Sequence, residues 1–558
     1  MAQGKIQSGD IAFPLGMNSS LDPMALPKTA VSRAMNMLNR GGIYQCRPGY
    51  RCLMALPEGN LQGFGVFRPK TGREALVFGV EGRLYLSEFP FKTYRQLEGV
   101  ELSSTARQLY FEMVEQSITQ NSDGSLAFIE PKSYLVIQDG GFSAPIVFDG
   151  TTAEAQRGGG KIPVGGPMKW VGDRLWVARG PLLFASDIAN PLAFTETNYV
   201  TGATAFVFSE TITALAEVPT INLPVLLVFT SSNVSAMQAG LRDRTLWAST
   251  PDFQKVILPH VGAVSQRSVV AHYGRLFWFT KAGITSYDAA AQGFVSSALP
   301  YLDEEMADSK GGLSTDLAGV ACATFENYLM VSVPYCDKFN RHTWVLDNSV
   351  LKFVPNQPPA WNSFWTGTRP VEWQTGSFNG ETRVLYISAD YDGENRLWEA
   401  WTPDRLDDGC PITWYLETRG VTETPGKLSE FRYADVFLTE LYGEVDVAVF
   451  WAGVNRGKYK RILTKKIRAT RGTFRSGETI TMASKIFALK KQSRNLRTQD
   501  GKAIIAEETL SSCGVEAPEL EFIDEAFQLL IVGSGPGAVR GFIEYAEPPK
   551  NLDNSGRC

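Results

Sequence analysis

Glu81-Gly-Arg-Leu-Tyr-Leu86, Val171-Gly-Asp-Arg-Leu-Trp-Val177, Tyr273-Gly-Arg-Leu-Phe-Trp-Phe279, Glu326-Asn-Tyr-Leu-Met-Val331 and Glu394-Asn-Arg-Leu-Trp-Glu399 are five versions of one phrase, a turn residue followed by a short apolar strand. Ser133-Tyr-Leu-Val-Ile137 and Pro224-Val-Leu-Leu-Val-Phe229 are weaker versions. One leucine from each copy (Leu84, Leu135, Leu175, Leu227, Leu276, Leu329 and Leu397) gives spacings of 51, 40, 52, 49, 53 and 68 residues. A four-stranded propeller blade takes roughly 40–50 residues. The spacing therefore predicts about seven blades, with an insertion in the last gap around Val354 to Trp361. A blade is a small twisted sheet that cannot bury both faces alone, and packing blades around an axis buries them. The Gly or Asn before each strand suits a tight turn, where positive φ costs least. Turn-then-strand phrases also occur in unrelated sandwiches, so a multi-sandwich chain is the competing reading.

The rest of the chain agrees with an all-β protein. Its 558 residues carry 52 Gly and 30 Pro, spread throughout, and 11% aromatics. No long stretch has the period of a helix bundle. Before the repeat, Leu26 to Leu38 reads as a short helix entered at Pro27, followed by Gly41-Gly42 and a strand from Ile43. After about residue 405, Phe431–Leu438 and Gly443–Trp451 alternate polar and apolar residues, and Gln528–Val532 and Ala538–Tyr545 read as further strands. The expected layout is an arm with a short helix and strand over 1–60, a β-propeller over 61–405, and a C-terminal β-sandwich-like domain over 406–558.

The first residues, Met1 to Gln7, hold no apolar signal core, and the strongest apolar run, Leu223–Phe229, is too short to span a bilayer. Seven scattered cysteines without a Cys-x-x-Cys pair read as mostly buried, reduced thiols of a protein made in the cytosol.

Charge is the second informative signal. The chain carries −5 overall, yet residues 456–497 hold fourteen Lys or Arg against one acid, Glu478. That segment is +13, which leaves −18 on the remainder. Lys458, Lys460, Arg461, Lys465, Lys466, Arg468, Arg471 and Arg475 are its candidate partner-facing residues. They read either as a surface for nucleic acid or an acidic partner, or as a solubilising edge strand, since Lys on an edge blocks unwanted pairing. Tight phosphate contacts add affinity. A conduit through which DNA slides is therefore poorly served by them, and a protein partner or outer surface is preferred over a lumen.

No catalytic or cofactor motif is found. The three histidines, His260, His272 and His342, lack metal-ligand spacing, and no Gly-x-Ser-x-Gly elbow exists. Gly158-Gly-Gly-Lys161 lacks the rest of a P-loop, and Pro163 spoils the helix it would need. Gly533-Ser-Gly-Pro-Gly537 leads into a strand rather than a helix. Asp390-Tyr-Asp-Gly-Glu-Asn395 resembles a calcium loop, but Trp401 stands where the closing Glu belongs. The expectation is a non-enzyme without cofactors or metals.

Phe13-Pro-Leu-Gly-Met-Asn-Ser-Ser-Leu-Asp-Pro-Met-Ala-Leu-Pro27, Ala34-Met-Asn36 and Gly42-Ile-Tyr-Gln-Cys-Arg-Pro-Gly49 resemble the opening of tail nozzle (tail tube or stabilisation) proteins of short-tailed bacteriophages. Ala185–Phe194, Ala282–Asp288, Tyr391–Trp398 and Phe431–Val436 also resemble that family. The resemblance implies a homo-oligomeric ring, usually of six, in the virion tail. The ring would extend the channel below the portal and tail adaptor protein, retain the genome, and conduct DNA without sequence-specific binding. Its sides would receive tail fibres or spikes, with gate loops supplied by Val354–Pro370 or the 91–128 region. The competing functions are a propeller-type carbohydrate-degrading or carbohydrate-binding tail enzyme, with acids, Arg and Tyr clustered at its axis, and a generic interaction scaffold.

Overall fold

The computed structural model describes residues 6–547 except 20, 122, 124, 196–204, 219–223, 273, 282, 289–292, 298–315, 335–339, 348–359, 368, 391, 423–428, 440–443, 454–459, 469–477, 484–522 and 525. Successive segments fold into antiparallel sheets: Leu61–Gln96, Tyr110–Ala155, Met168–Val207, Ile212–Leu258, Val269–Ser297, Ala321–Trp365 and Pro370–Thr402. The first six supply four strands each. The seventh supplies three, and Gly49–Ala55 adds the fourth by pairing with Asn395–Thr402. The first strand of each sheet packs beside the first strand of the next, and the seventh returns to the first. This is a closed seven-bladed β-propeller. Its last blade is completed by a strand that precedes blade 1 in sequence, so the ring is locked by main-chain hydrogen bonds as well as packing.

The repeat leucines fall in two phases. Leu135, Leu175, Leu227, Leu276 and Leu329 lie on the second strands of blades 2 to 6. Leu84 and Leu397 lie on the third strands of blades 1 and 7. The final gap of 68 residues is therefore partly a shift by one strand, and residues 354–359 of the expected insertion lie outside the described residues.

Every blade–blade interface is filled by an apolar cluster, and the one between blades 5 and 6 is continuous with the sandwich core. Leu135 and Phe148 meet Phe67 and Leu84 between blades 1 and 2. Trp176, Phe206, Trp247 and Phe253 stack between blades 3 and 4, with Trp247 and Phe253 centroids 4.8 Å apart. Leu397 packs on Phe64 and Phe78 across the closure. Fully burying one such side chain stabilises by about 1.5–3 kcal/mol. Strand alternation sends residues of one blade to both flanking interfaces, so neighbouring blades stabilise one another around the whole ring.

The sixth blade does not end at its fourth strand, Ala360–Trp365. Its sheet continues through Gly16–Met17, Ala30–Met35, Thr413–Thr418, Phe527–Ser534, Glu444–Gly453 and Lys460–Arg468. A second sheet, built from Met37–Arg40, Ile43–Cys46, Ala538–Glu547, Ser429–Thr439 and Glu478–Ala483 with Ile6–Asp10 on its flank, shares one core with it. Val447, Leu529 and Ile531 of one sheet belong to the same cluster as Val436, Leu438 and Phe542 of the other. The C-terminal region is thus a β-sandwich, and one sheet runs from it into the propeller.

The N-terminal expectation needs correction. Leu26 to Leu38 forms no helix: Ala30–Met35 and Met37–Arg40 are strands, separated by Asn36 at φ 54°. The described residues contain no α-helix. Short apolar runs do not distinguish strand from helix by period. Here pairing decides, because Ala30–Met35 lies between Gly16–Met17 and Thr413–Thr418. Residues 1–60 are accordingly no separate arm. Their described part is divided between the sandwich and blade 7.

Arg47 holds this junction. It is fully buried, and all five of its N–H donors are used. Nε donates to Asn36 Oδ1 at 3.1 Å, and Nη1 donates to Pro48 O at 2.9 Å and Asp407 Oδ1 at 2.8 Å. Nη2 donates to Thr366 O at 3.0 Å and Asp407 Oδ2 at 2.6 Å. The guanidinium lies 4.0 Å from the Tyr50 ring centroid. Breaking a buried ion pair on one side costs about 3–5 kcal/mol. Arg47→Met is expected to lose that much in chemical denaturation, and Arg47→Lys to recover only part, since an ammonium has three donors. Gly49→Ala places a Cβ 2.0 Å from Leu406 O and is expected to cost about 1–3 kcal/mol.

His342, on the third strand of blade 6, packs 4.9 Å from Phe364. Burial, aided by neighbouring Arg341, holds its imidazole down to about 4. The unfolded side chain titrates near 6.5, so the stability from its neutral form is present above that pH and lost as pH falls toward 4. Denaturation at pH 7 and pH 5 should show a smaller acid loss for His342→Gln than for the unsubstituted chain.

Candidate functional site

The first strand of each blade has one main-chain edge turned to the propeller axis, where no further strand pairs with it. Edge N–H and C=O groups must find other partners, and polar side chains of neighbouring blades supply them. Glu372, on the first strand of blade 7, accepts from Phe64 N of blade 1 at 3.1 Å. Arg267, at the entry to blade 5, lies 3.3 Å from Glu372 and donates through Nη2 to Gln62 O of blade 1. Glu112 of blade 2 accepts from Trp170 N and Lys169 Nζ of blade 3, both at 2.9 Å. Gln266 of blade 5 exchanges two hydrogen bonds with the Leu215 main chain of blade 4. The axis is therefore crossed by side chains and is not an open bore.

A cavity of about 370 Å³ remains among the first strands, with Tyr110, Arg267, Cys322 and Glu372 in its wall. A wider mouth of about 730 Å³ shares Arg267 with it and adds Arg107, Asp316, Arg369 and Asp390. Arg107 Nη2 pairs with Asp316 at 2.8 Å, and Asp390 pairs with Arg396 at 2.9 Å. Burial pushes the Glu372 carboxyl up, and Arg267 opposes that shift. Burial likewise raises the Tyr110 phenol and the Glu217 carboxyl, whereas Glu112 raises the Lys169 ammonium by stabilising its charge. Acids, Arg and Tyr thus meet at the axis.

Asp390–Asn395 borders the mouth through Asp390, Gly393 and Asn395, and the other motif-bearing stretches fall elsewhere. Lys460, Arg461, Lys465, Lys466 and Arg468 share the strand Lys460–Arg468, which pairs with Glu444–Gly453 and ends the long sheet. Lys458, Arg471 and Arg475 lie outside the described residues. A terminal position in the sheet is where lysines protect an edge. Between the paired residues Ala389 and Asn395, Arg396 holds three carboxylates, at 2.9 Å from Asp390, 2.5 Å from Asp392 and 2.7 Å from Glu394. No metal-ligating cluster is found among the described residues. Gly158–Lys161 is a loop with one short 3₁₀ turn, and Gly533–Gly537 bends between two strands. Cys46, Cys52, Cys322 and Cys410 form no disulfide, and no described helix is long and apolar enough to cross a membrane. Sequence reasoning missed Arg267, Glu372, Tyr110 and Glu112. Their one shared signal is a position at the start of a blade, visible only once the blades are phased.

The axial pair offers a direct check. Arg267→Met leaves Glu372 buried without its cation, and the expected cost is about 3–5 kcal/mol. The double variant Arg267→Met/Glu372→Leu should cost clearly less than the sum of the two single changes. Denaturation of the four proteins measures this coupling.

No family model matches the chain, and no curated protein matches it. Among solved structures, the extracellular domain of a one-component system (BT4673) from B. thetaiotaomicron is 10% identical, with a TM-score of 0.37; the match covers 86% of this chain and 63% of that one. The AfRom2 CNH domain is also 10% identical, with a TM-score of 0.25, covering 63% of this chain and 98% of that one.

Proposed function

We propose that the chain is a structural, non-catalytic subunit of the tail nozzle of a short-tailed bacteriophage. It assembles in the host cytoplasm into a ring of six and resides in the virion tail. The ring meets the tail adaptor protein above, receives fibres or spikes on its sides, retains the genome, and conducts DNA during ejection without sequence-specific binding. One observation carries this reading: the residues that resemble the nozzle family, 13–49, are the ones that join propeller to sandwich and end at buried Arg47. A part that bears load needs two bodies held by a continuous sheet, as the ten-stranded sheet does here.

The propeller axis is crossed by the Arg267–Glu372 pair, so the conduit of this proposal lies between copies. The −18 carried outside residues 456–497 suits a lumen that repels phosphate. The hairpin of Tyr110–Gln120 and Leu126–Gln138 is the described element placed to act as a gate, with Phe128 88% exposed near its tip.

The alternative, a carbohydrate-degrading or carbohydrate-binding tail protein, is favoured by Tyr110, Arg267 and Glu372 meeting in one cavity. Light scattering of the purified chain, alone and with its neighbouring tail proteins, should give a closed oligomer in at least one condition. A strict monomer in both, together with turnover of host-surface glycans, selects the alternative.

A further inference from the structure

Ring building makes no use of the mouth of the propeller axis, yet that mouth has the character of a binding pocket. Its volume of about 730 Å³ lies within the usual range of roughly 300–1,000 Å³ for small-molecule sites. Arg107, Arg267 and Arg369 immediately precede or begin the entries to blades 2, 5 and 7. Each therefore arrives on the connection from one blade's outer strand to the next blade's inner strand, and all three arrive on one face of the propeller. The side chain of Arg267 is only 5% exposed. Its Nη2 is held by Gln62 O and Glu372, whereas its Nε is buried with no hydrogen-bond partner among the described residues. Tyr110 lines the adjoining axial cavity, which shares Arg267 with the mouth.

We propose that this mouth binds a hydroxylated, sugar-sized monocarboxylate, such as a uronic or sialic acid unit. Guanidinium groups pair with carboxylates through parallel N–H donors, which assigns the ligand's acid to the arginines. Glu372 and Tyr110 line the adjoining cavity that shares Arg267 with the mouth, and they suit as partners the hydroxyls of a ligand that reaches past Arg267. The Glu372 carboxylate also repels a second negative charge, which disfavours a phosphate dianion. Buried polar groups that lack partners cost free energy, and this ligand would satisfy the free Nε donor of Arg267. The inference rests on the site of the carbohydrate reading and not on its chemistry, so binding without turnover removes the catalytic version and leaves the inference standing.

The test is calorimetry on the full chain with glucuronate, N-acetylneuraminate, glucose and inorganic phosphate, with a glycan-turnover assay alongside. At least one sugar acid should bind with a Kd of about 1 mM or tighter, and at least about tenfold more tightly than glucose or phosphate. Arg369→Gln should weaken binding by about tenfold or more, and Tyr110→Phe by a smaller factor. Tyr110→Phe removes only a hydroxyl and keeps the ring packing, so it remains informative if Arg369→Gln fails to fold. The proposal is overturned if neither sugar acid binds at about ten times that concentration, if phosphate or glucose binds as tightly, or if both variants bind like the unsubstituted chain.

Discussion

Arg47 and Asp407 lie 360 residues apart in sequence and form a two-point ion pair at the centre of the molecule. Around this pair the chain makes four unrelated joins. The strand Gly49–Ala55 leaves toward blade 7, Asn36 separates two sandwich strands, Thr366 follows the last strand of blade 6, and Asp407 opens the return to the sandwich. A buried guanidinium is unfavourable unless every donor is satisfied. Its five hydrogen bonds are therefore a constraint on all four segments at once: none can shift without leaving a buried N–H unpaired. Asn36 adds to the constraint, since its side chain also binds Thr366 and Thr413.

The propeller closes around that point in two ways. At the rim, an N-terminal strand completes the last blade through its backbone. At the axis, side chains of one blade satisfy the free backbone edge of another, as Glu372 does for Phe64. The axial residues are polar because their partners are edge amides and carbonyls, and that same polarity leaves an arginine-rich mouth. The proposed ligand would draw on residues whose polarity the edge strands already require, so the absence of catalytic motifs says little about the mouth.

The blades were readable because the second strands of blades 2 to 6 repeat one pattern of turn, Leu and β-branched or aromatic residues, and burial on both faces leaves that pattern little freedom. Five of the seven copies fall in phase. The two that do not, Leu84 and Leu397, sit on third strands whose preceding hairpin turns, Glu81-Gly82 and Gly393-Glu394, look the same as the others. The strands after residue 405 were readable from alternation. The N-terminal strands were not: Ala30–Met35 is a strand because of Thr413–Thr418, nearly 400 residues away. Arg47 was quoted as part of an Arg-Pro-Gly turn, but nothing local announces that it is buried. The axial residues were hidden for the same reason, since a charge at a strand start reads as surface until the ring is closed. Of the basic residues 458–475, those described share one sheet-terminal strand, a placement set by long-range pairing with Glu444–Gly453.

With propeller and sandwich joined by one sheet and the propeller axis crossed by side chains, the conduit of the proposed nozzle lies in the space enclosed by several copies. An electron-microscopic reconstruction of the assembled tail tests this claim most directly. The account predicts a ring of this chain around the DNA path, with every propeller axis lying off that path. DNA density running through a propeller axis, or a tail in which this chain is absent, would contradict it.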